Sequence, residues 1–154
     1  IISTQALKLC LGLNDFLIKD LDRIYLYKHP FPSPRFQFLH TYETDIIDGV
    51  VILSLEQAII GIVQPKIYYN ITLHAFAEAF IHLHPQYNYP DVNKYGWQII
   101  NEISPLKQEV IVATCGFENL DLLPVHIVCF FEYADVYQTK LPLEYEILNK
   151  ILNQ

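Results

Sequence analysis

The chain of 154 residues has no methionine, five scattered glycines, three cysteines and one tryptophan, and only 18% of its residues are charged. So few, dispersed glycines cannot build a phosphate-cradling loop, and neither Gly-x-Ser-x-Gly nor Cys-x-x-Cys occurs. Cys10, Cys115 and Cys129 are an odd number without metal-ligand spacing, which suggests reduced thiols rather than a disulfide framework. No apolar run approaches the roughly 18 residues a membrane-spanning helix needs. Basic residues are outnumbered 10 to 17 by acidic ones, for a net charge of −7, so the basic face of a nucleic-acid binder is missing. The chain starts Ile1-Ile2 and reads as a fragment without its native N-terminus, compatible with an upstream signal peptide or membrane tether.

What is present is a globular composition. Hydrophobic residues make up 52%, with eleven Tyr and nine Phe, enough for one domain with its own core. Ser3 or Thr4 can cap a first helix that ends near Gly12. Arg23 to Tyr27 and the β-branched Gly49 to Ser54 read as strands, and Ser54 can cap a short helix after the second. The segment from His29 to Tyr42, with Pro30, Pro32 and Pro34, reads as a loop. Asn70 can cap a long helix that Pro85 stops. Further helices are expected over 93–103, from Pro124 to about Gln138, and over 143–152. Residues 107–114 fit strand and helix equally. The whole is one α+β domain, 1–154.

Residues 73–78 read Leu-His-Ala-Phe-Ala-Glu. A zinc-peptidase helix carries His-Glu-x-x-His: two imidazoles one turn apart hold the metal, and the glutamate is the general base. Here His74 stands at the first histidine, Ala75 at the base and Glu78 at the second histidine. Alanine accepts no proton. His74 and Glu78, four apart, share one helix face. His82 continues that face but lies about 12 Å along the axis from His74, too far to share an ion with it. His29, His40 and His84 read as surface or capping residues. Glu43, Asp45 and Asp48 lack the calcium-loop pattern and read as a solvated loop.

Several segments, in order, resemble the Mlc titration factor A family of zinc-dependent peptidases, related to the catalytic domain of anthrax lethal factor. They are Gln5-Ala6 with Leu11-Gly12-Leu13-Asn14 and Ile24-Tyr25-Leu26-Tyr27, then Gly49 to Ser54 followed by Leu55, then Pro124 to Cys129, and the closing Pro142 to Leu152. The resemblance implies a zincin-like fold, helices packed on a small sheet, with an N-terminal helical portion absent. It places the metal ligands at His74, Glu78 and His126. The family's His, His, Glu becomes His, Glu, His, so two imidazoles and one carboxylate remain, the inventory of an open zinc site. Asn119 falls where the family often has an oxyanion-donating Tyr. Tyr133 falls at a further glutamate, with Glu132 beside it.

The departures imply a degenerate metallopeptidase that acts as a noncatalytic, regulatory protein- or peptide-binding module, with an extended segment held in the groove beside Gly49–Ser54. An active zinc peptidase using the exchanged set, and a structural module of a larger assembly, are the alternatives. A metal-free, hydrogen-bonded His74–Glu78 pair would leave the same sequence trace as a zinc site. The family's setting implies a cytoplasmic location.

Overall fold

β-branched and aromatic runs form strands, and apolar segments bounded by caps and prolines form helices, in a computed structural model that describes residues 1–13 and 18–152. Asn14 therefore lies outside the described residues. In chain order the elements are α1 (Ile2–Cys10), β1 (Arg23–Tyr27), β2 (Tyr42–Asp45), β3 (Val50–Ser54), α2 (Leu55–Val63), α3 (Ile71–Leu83), α4 (Gly96–Ile103), α5 (Gln108–Cys115), α6 (Leu122–Glu132), α7 (Ala134–Lys140) and α8 (Pro142–Leu152). The class is α+β, as expected. No helix among the described residues is long and apolar enough to cross a membrane.

The sheet order is β1-β3-β2. β1 runs parallel to β3, with Tyr25 beside Ile52, and β2 runs antiparallel to it, with Tyr42 beside Leu53. Several assignments differ from the sequence reading: α1 starts at Ile2, ahead of Ser3 and Thr4, the Ser54 hydroxyl makes no cap bond, and 93–95 form a 3-10 turn before the α-helix that begins at Gly96. β2 lies inside the acidic stretch read as loop: Tyr42, Glu43 and Thr44 are buried. The ambiguous segment is the helix α5. The helix expected from Pro124 begins earlier, at Leu122, and breaks at Tyr133, whose backbone (φ −134°, ψ 42°) leaves the helical region and separates α6 from α7.

α3 is the centre. Its first seven residues, Ile71 to Ala77, are all buried. Asn70 caps it, its side-chain oxygen accepting from Leu73 N at 3.0 Å. That cap satisfies one of the helix's unpaired amides. The Asn70 amide nitrogen donates at 3.0 Å to Gln5 of α1 and at 3.1 Å to Glu132 of α6. Lys8 pairs with the same Glu132 oxygen at 3.0 Å. One side chain thus ties three helices at the start of α3. Every aliphatic face of α3 then meets α1, α2, α6 or the sheet.

The entry to β2 is fixed from α5. Gly116 ends α5 at φ +82°, the left-handed region where a side chain is strained. A Cβ there would lie 2.7 Å from His40 Cα and Leu39 O. The close approach lets Thr41 N donate to Cys115 O at 3.1 Å, and Thr41 Oγ1 to Thr114 O at 2.8 Å. Tyr42 follows directly.

Gly116→Ala is therefore expected to lower stability by more than about 1 kcal/mol, because the left-handed conformation and the missing space penalise the methyl together. Urea unfolding of the two proteins measures it; equal midpoints and slopes would contradict the packing of α5 against residues 39–41.

Candidate functional site

His74 is wholly buried, and both its ring nitrogens are engaged. Nδ1 meets the Tyr69 hydroxyl at 2.7 Å and Nε2 the Tyr42 hydroxyl at 2.9 Å. Tyr42 also donates to Glu78 Oε2 at 3.1 Å. The other Glu78 oxygen accepts from the Thr44 hydroxyl. Helical spacing puts His74 and Glu78 on one face, and strand spacing puts Tyr42 and Thr44 on one face of β2, so two periodicities converge on one carboxylate.

The directions of these bonds follow from an inventory of protons. A carboxylate accepts only. Tyr42 has one proton and gives it to Glu78, so its oxygen accepts from His74 Nε2–H. Nδ1 is then the lone-pair nitrogen, and Tyr69 donates to it. The network assigns the Nε2–H tautomer and the order Tyr69, His74, Tyr42, Glu78. Burial pushes the His74 imidazole down to about 3, which keeps it neutral at pH 7. The Tyr42 phenol is held well above its usual range by burial, then by the Glu78 charge. Burial likewise raises the Tyr69 phenol.

Of the three expected ligands, the structure joins two. His126 on α6 is also buried, but its Nδ1 meets the Tyr137 hydroxyl of α7 at 2.8 Å, and its Nε2 has no hydrogen-bond partner. Burial lowers its imidazole to about 4, with Glu144 of α8 pulling the other way. His126 thus serves a cluster at the α6–α7–α8 junction and shares no partner with His74. Among the described residues, no group of three His, Cys, Asp or Glu side chains is placed to hold a metal ion. The donors also fit one poorly: the His74 lone pair already takes a tyrosine proton, and its other nitrogen carries one.

Ala75, at the base position, is fully buried in the core. Asn119 does reach the site. It lines a cleft of about 150 Å³ whose wall also holds Arg35, Tyr42, Glu43, Glu78 and Asp121. Asn119 and Phe117 continue into a neighbouring cavity of about 530 Å³ with Phe38 and Leu39. The wall carries three carboxylates against one guanidinium. Arg35 is spent in part on the Thr44 carbonyl, 3.2 Å away.

Four site residues, Tyr42, Thr44, Tyr69 and Asp121, escaped the sequence reading. The signal for Tyr42 and Thr44 was the alternation Tyr42-x-Thr44 ahead of a turn. The signal for Asp121 was a capping residue just before an apolar run; it accepts from Leu123 N at 3.1 Å. His40 also departs from the expected surface role: it is buried, 3.3 Å from Glu43 and 2.9 Å from Phe38 O. The strand within Gly49–Ser54, β3, is paired on both sides and offers no free edge for an extended segment to add to.

A pH dependence follows from the two buried imidazoles. Each has a folded value below the usual 6.5. The unfolded chain therefore binds more protons at mildly acid pH, and stability falls as pH drops. The contribution is complete above about 6.5 and is lost progressively toward 4 for His126 and 3 for His74. The slope is about 1.4 kcal/mol per pH unit for each histidine in its window. His74→Gln should lower overall stability yet flatten this slope by about one proton between pH 6 and 4. Unfolding free energies at stepped pH measure it; an unchanged slope would mean that His74 is not buried neutral.

No protein-family model, curated protein or solved structure matches the chain.

Proposed function

We propose that the domain is a noncatalytic, zincin-like binding module in which the residues of a hydrolase helix have become a structural hydrogen-bond network. The observation that carries this reading is His74, buried and neutral, with a tyrosine hydroxyl on each ring nitrogen. A general base needs a free lone pair within reach of a substrate proton. Glu78 is the nearest carboxylate, and its two oxygens already accept from Tyr42 and Thr44.

The surface used for binding is the double cleft over this network. Its wider part is aromatic, and its narrower part is acidic. Few polar groups beside an apolar wall is the usual make-up of a recognition site. The matching ligand is a protein segment that places an apolar side chain against Phe38 and Phe117 and a lysine or arginine against the exposed Asp121. The fixed network serves as a rigid floor.

The test is selection from a displayed library of random peptides, followed by titration. Enriched sequences are expected to pair an apolar residue with a basic one. Asp121→Asn keeps the helix cap but removes a charge, so binding should weaken roughly two- to fivefold, the value of one exposed ion pair. No selected peptide should be cleaved with or without added zinc. Zinc-dependent cleavage of a bound peptide would overturn the noncatalytic reading, and enrichment indifferent to basic residues would overturn the ligand assignment.

Restoring a base is expected to fail. Ala75→Glu buries a carboxylate without a partner, at a cost of several kcal/mol. Loss of the cooperative thermal transition is the expected result; a folded variant with new peptidase activity would show that position 75 can reach the cleft.

A further inference from the structure

We infer that β1 is a self-complementary edge through which two copies of this chain pair, antiparallel, about a twofold axis at Tyr25. The two edges of the sheet differ. At β2, the segment 31–40 folds back, with Phe31 bridging His40 and Arg35 holding the Thr44 carbonyl. At β1, no described strand lies outside, and all five residues are exposed, whereas four of the five residues of β3 are buried. Ile24, Tyr25, Leu26 and Tyr27 are each 40–53% exposed. β1 has neither proline nor bulge, two of the devices that protect an edge, and its charges, Asp22, Arg23 and Lys28, sit at the strand's two ends rather than in its middle.

The backbone decides which residues face out. Arg23 N donates to Gly49 O at 3.1 Å, in the register that sets Arg23 beside Val50. Alternation along the strand then turns the polar groups of Arg23, Tyr25 and Tyr27 toward β3 and those of Ile24 and Leu26 outward. An antiparallel partner bonds best when two outward residues face each other as a hydrogen-bonded pair. Setting Ile24 opposite Leu26 of the second copy does this twice, with Tyr25 opposite Tyr25 between them.

Side chains select the same register. It places Asp22 opposite Lys28 of the second copy, both exposed, and the symmetry makes this ion pair twice. It sets Arg23 against the Tyr27 ring and Ile24 against Leu26. Moving the axis to Ile24 sets Asp22 against Leu26, and moving it to Leu26 sets Lys28 against Ile24; both lose the ion pairs. The interface is isologous and closes on itself, so it ends at a dimer rather than a fibre. The two three-stranded sheets become one continuous sheet of six. The apolar groove between α1 and β1, lined by Ala6, Leu7, Leu21, Ile24 and Phe76, lies next to this edge and is extended by the partner strand.

Sedimentation of the 154-residue chain over a concentration series is expected to move from 18.0 kDa toward twice that mass. Lys28→Glu and Asp22→Lys should each weaken the dimer roughly tenfold, since two attractions become two repulsions. The double variant, with the charges exchanged, should restore it. Leu26→Pro removes an outward amide without touching the bonds to β3 and should give a folded monomer. Tyr25→Cys should cross-link under mild oxidation, because facing residues at that position lie within disulfide reach. Tyr27→Cys should not, since that position lies about 13 Å from its symmetry mate. The native cysteines are buried and do not compete. A chain monomeric at every concentration, including one that instead captures a foreign extended peptide on β1, would overturn the proposal. So would equal cross-linking at both positions, or failure of the charge exchange to restore the dimer.

Discussion

A helix buried from its first residue onward cannot leave any polar atom to water, and that constraint organises this molecule. α3 enters the interior at Ile71 and carries a histidine into a region with no solvent. On its inner turns the first amides and the imidazole find partners within the fold, while the Thr72 hydroxyl is buried without one. Asn70 answers for the amides at the start and, with its other end, fixes α1 and α6. Tyr69 and Tyr42 answer for the imidazole. Tyr42 comes from a strand whose position is set by α5 through residues 39–41. The arrangement of helices and sheet is thus tied to the satisfaction of a few atoms.

The chemical character of the site follows from the same requirement. A hydrolytic histidine must keep a lone pair available and sit beside a reachable cavity. Here the cavity begins at Glu78 and Tyr42, and His74 lies behind them. The tyrosine hydroxyl occupies the direction from which a ligand would approach Nε2. The helix carries a histidine and a glutamate four residues apart, and its neighbours direct that pair to internal hydrogen bonding. What faces outward is the aromatic and acidic wall of the cleft.

Much of the fold was legible in the sequence because it rests on local signals. Asn70 and Pro85 bracket α3, and the β-branched run Val50-Val51-Ile52 marks β3, the best-buried strand. The pairing of His74 with Glu78 came from helical periodicity alone. Other features depended on contacts distant in sequence. β2 is short and polar, and its buried Glu43 meets His40 at 3.3 Å, a contact the local pattern does not announce. His126 has the same residue type and burial as His74, but which way α6 presents it depends on α7 and α8. The break at Tyr133 carries no proline or glycine; its hydroxyl donates to Pro65 O at 2.8 Å, a contact no local pattern announces. The edge status of β1 likewise comes from topology: as a sequence it resembles any interior strand.

The row of bonds that ends at Glu78 has a direction, and the direction is imposed from its far end. The carboxylate can only receive, so Tyr42 must give, His74 must give through Nε2, and Tyr69 must give to Nδ1. A half-exposed group at the mouth of the cleft thereby sets the tautomer of a ring that water never touches. A cation seated against Glu78 would strengthen that orientation. The charge of the cleft is therefore written into the interior without any backbone displacement, as a fixed choice of which atoms hold which hydrogens.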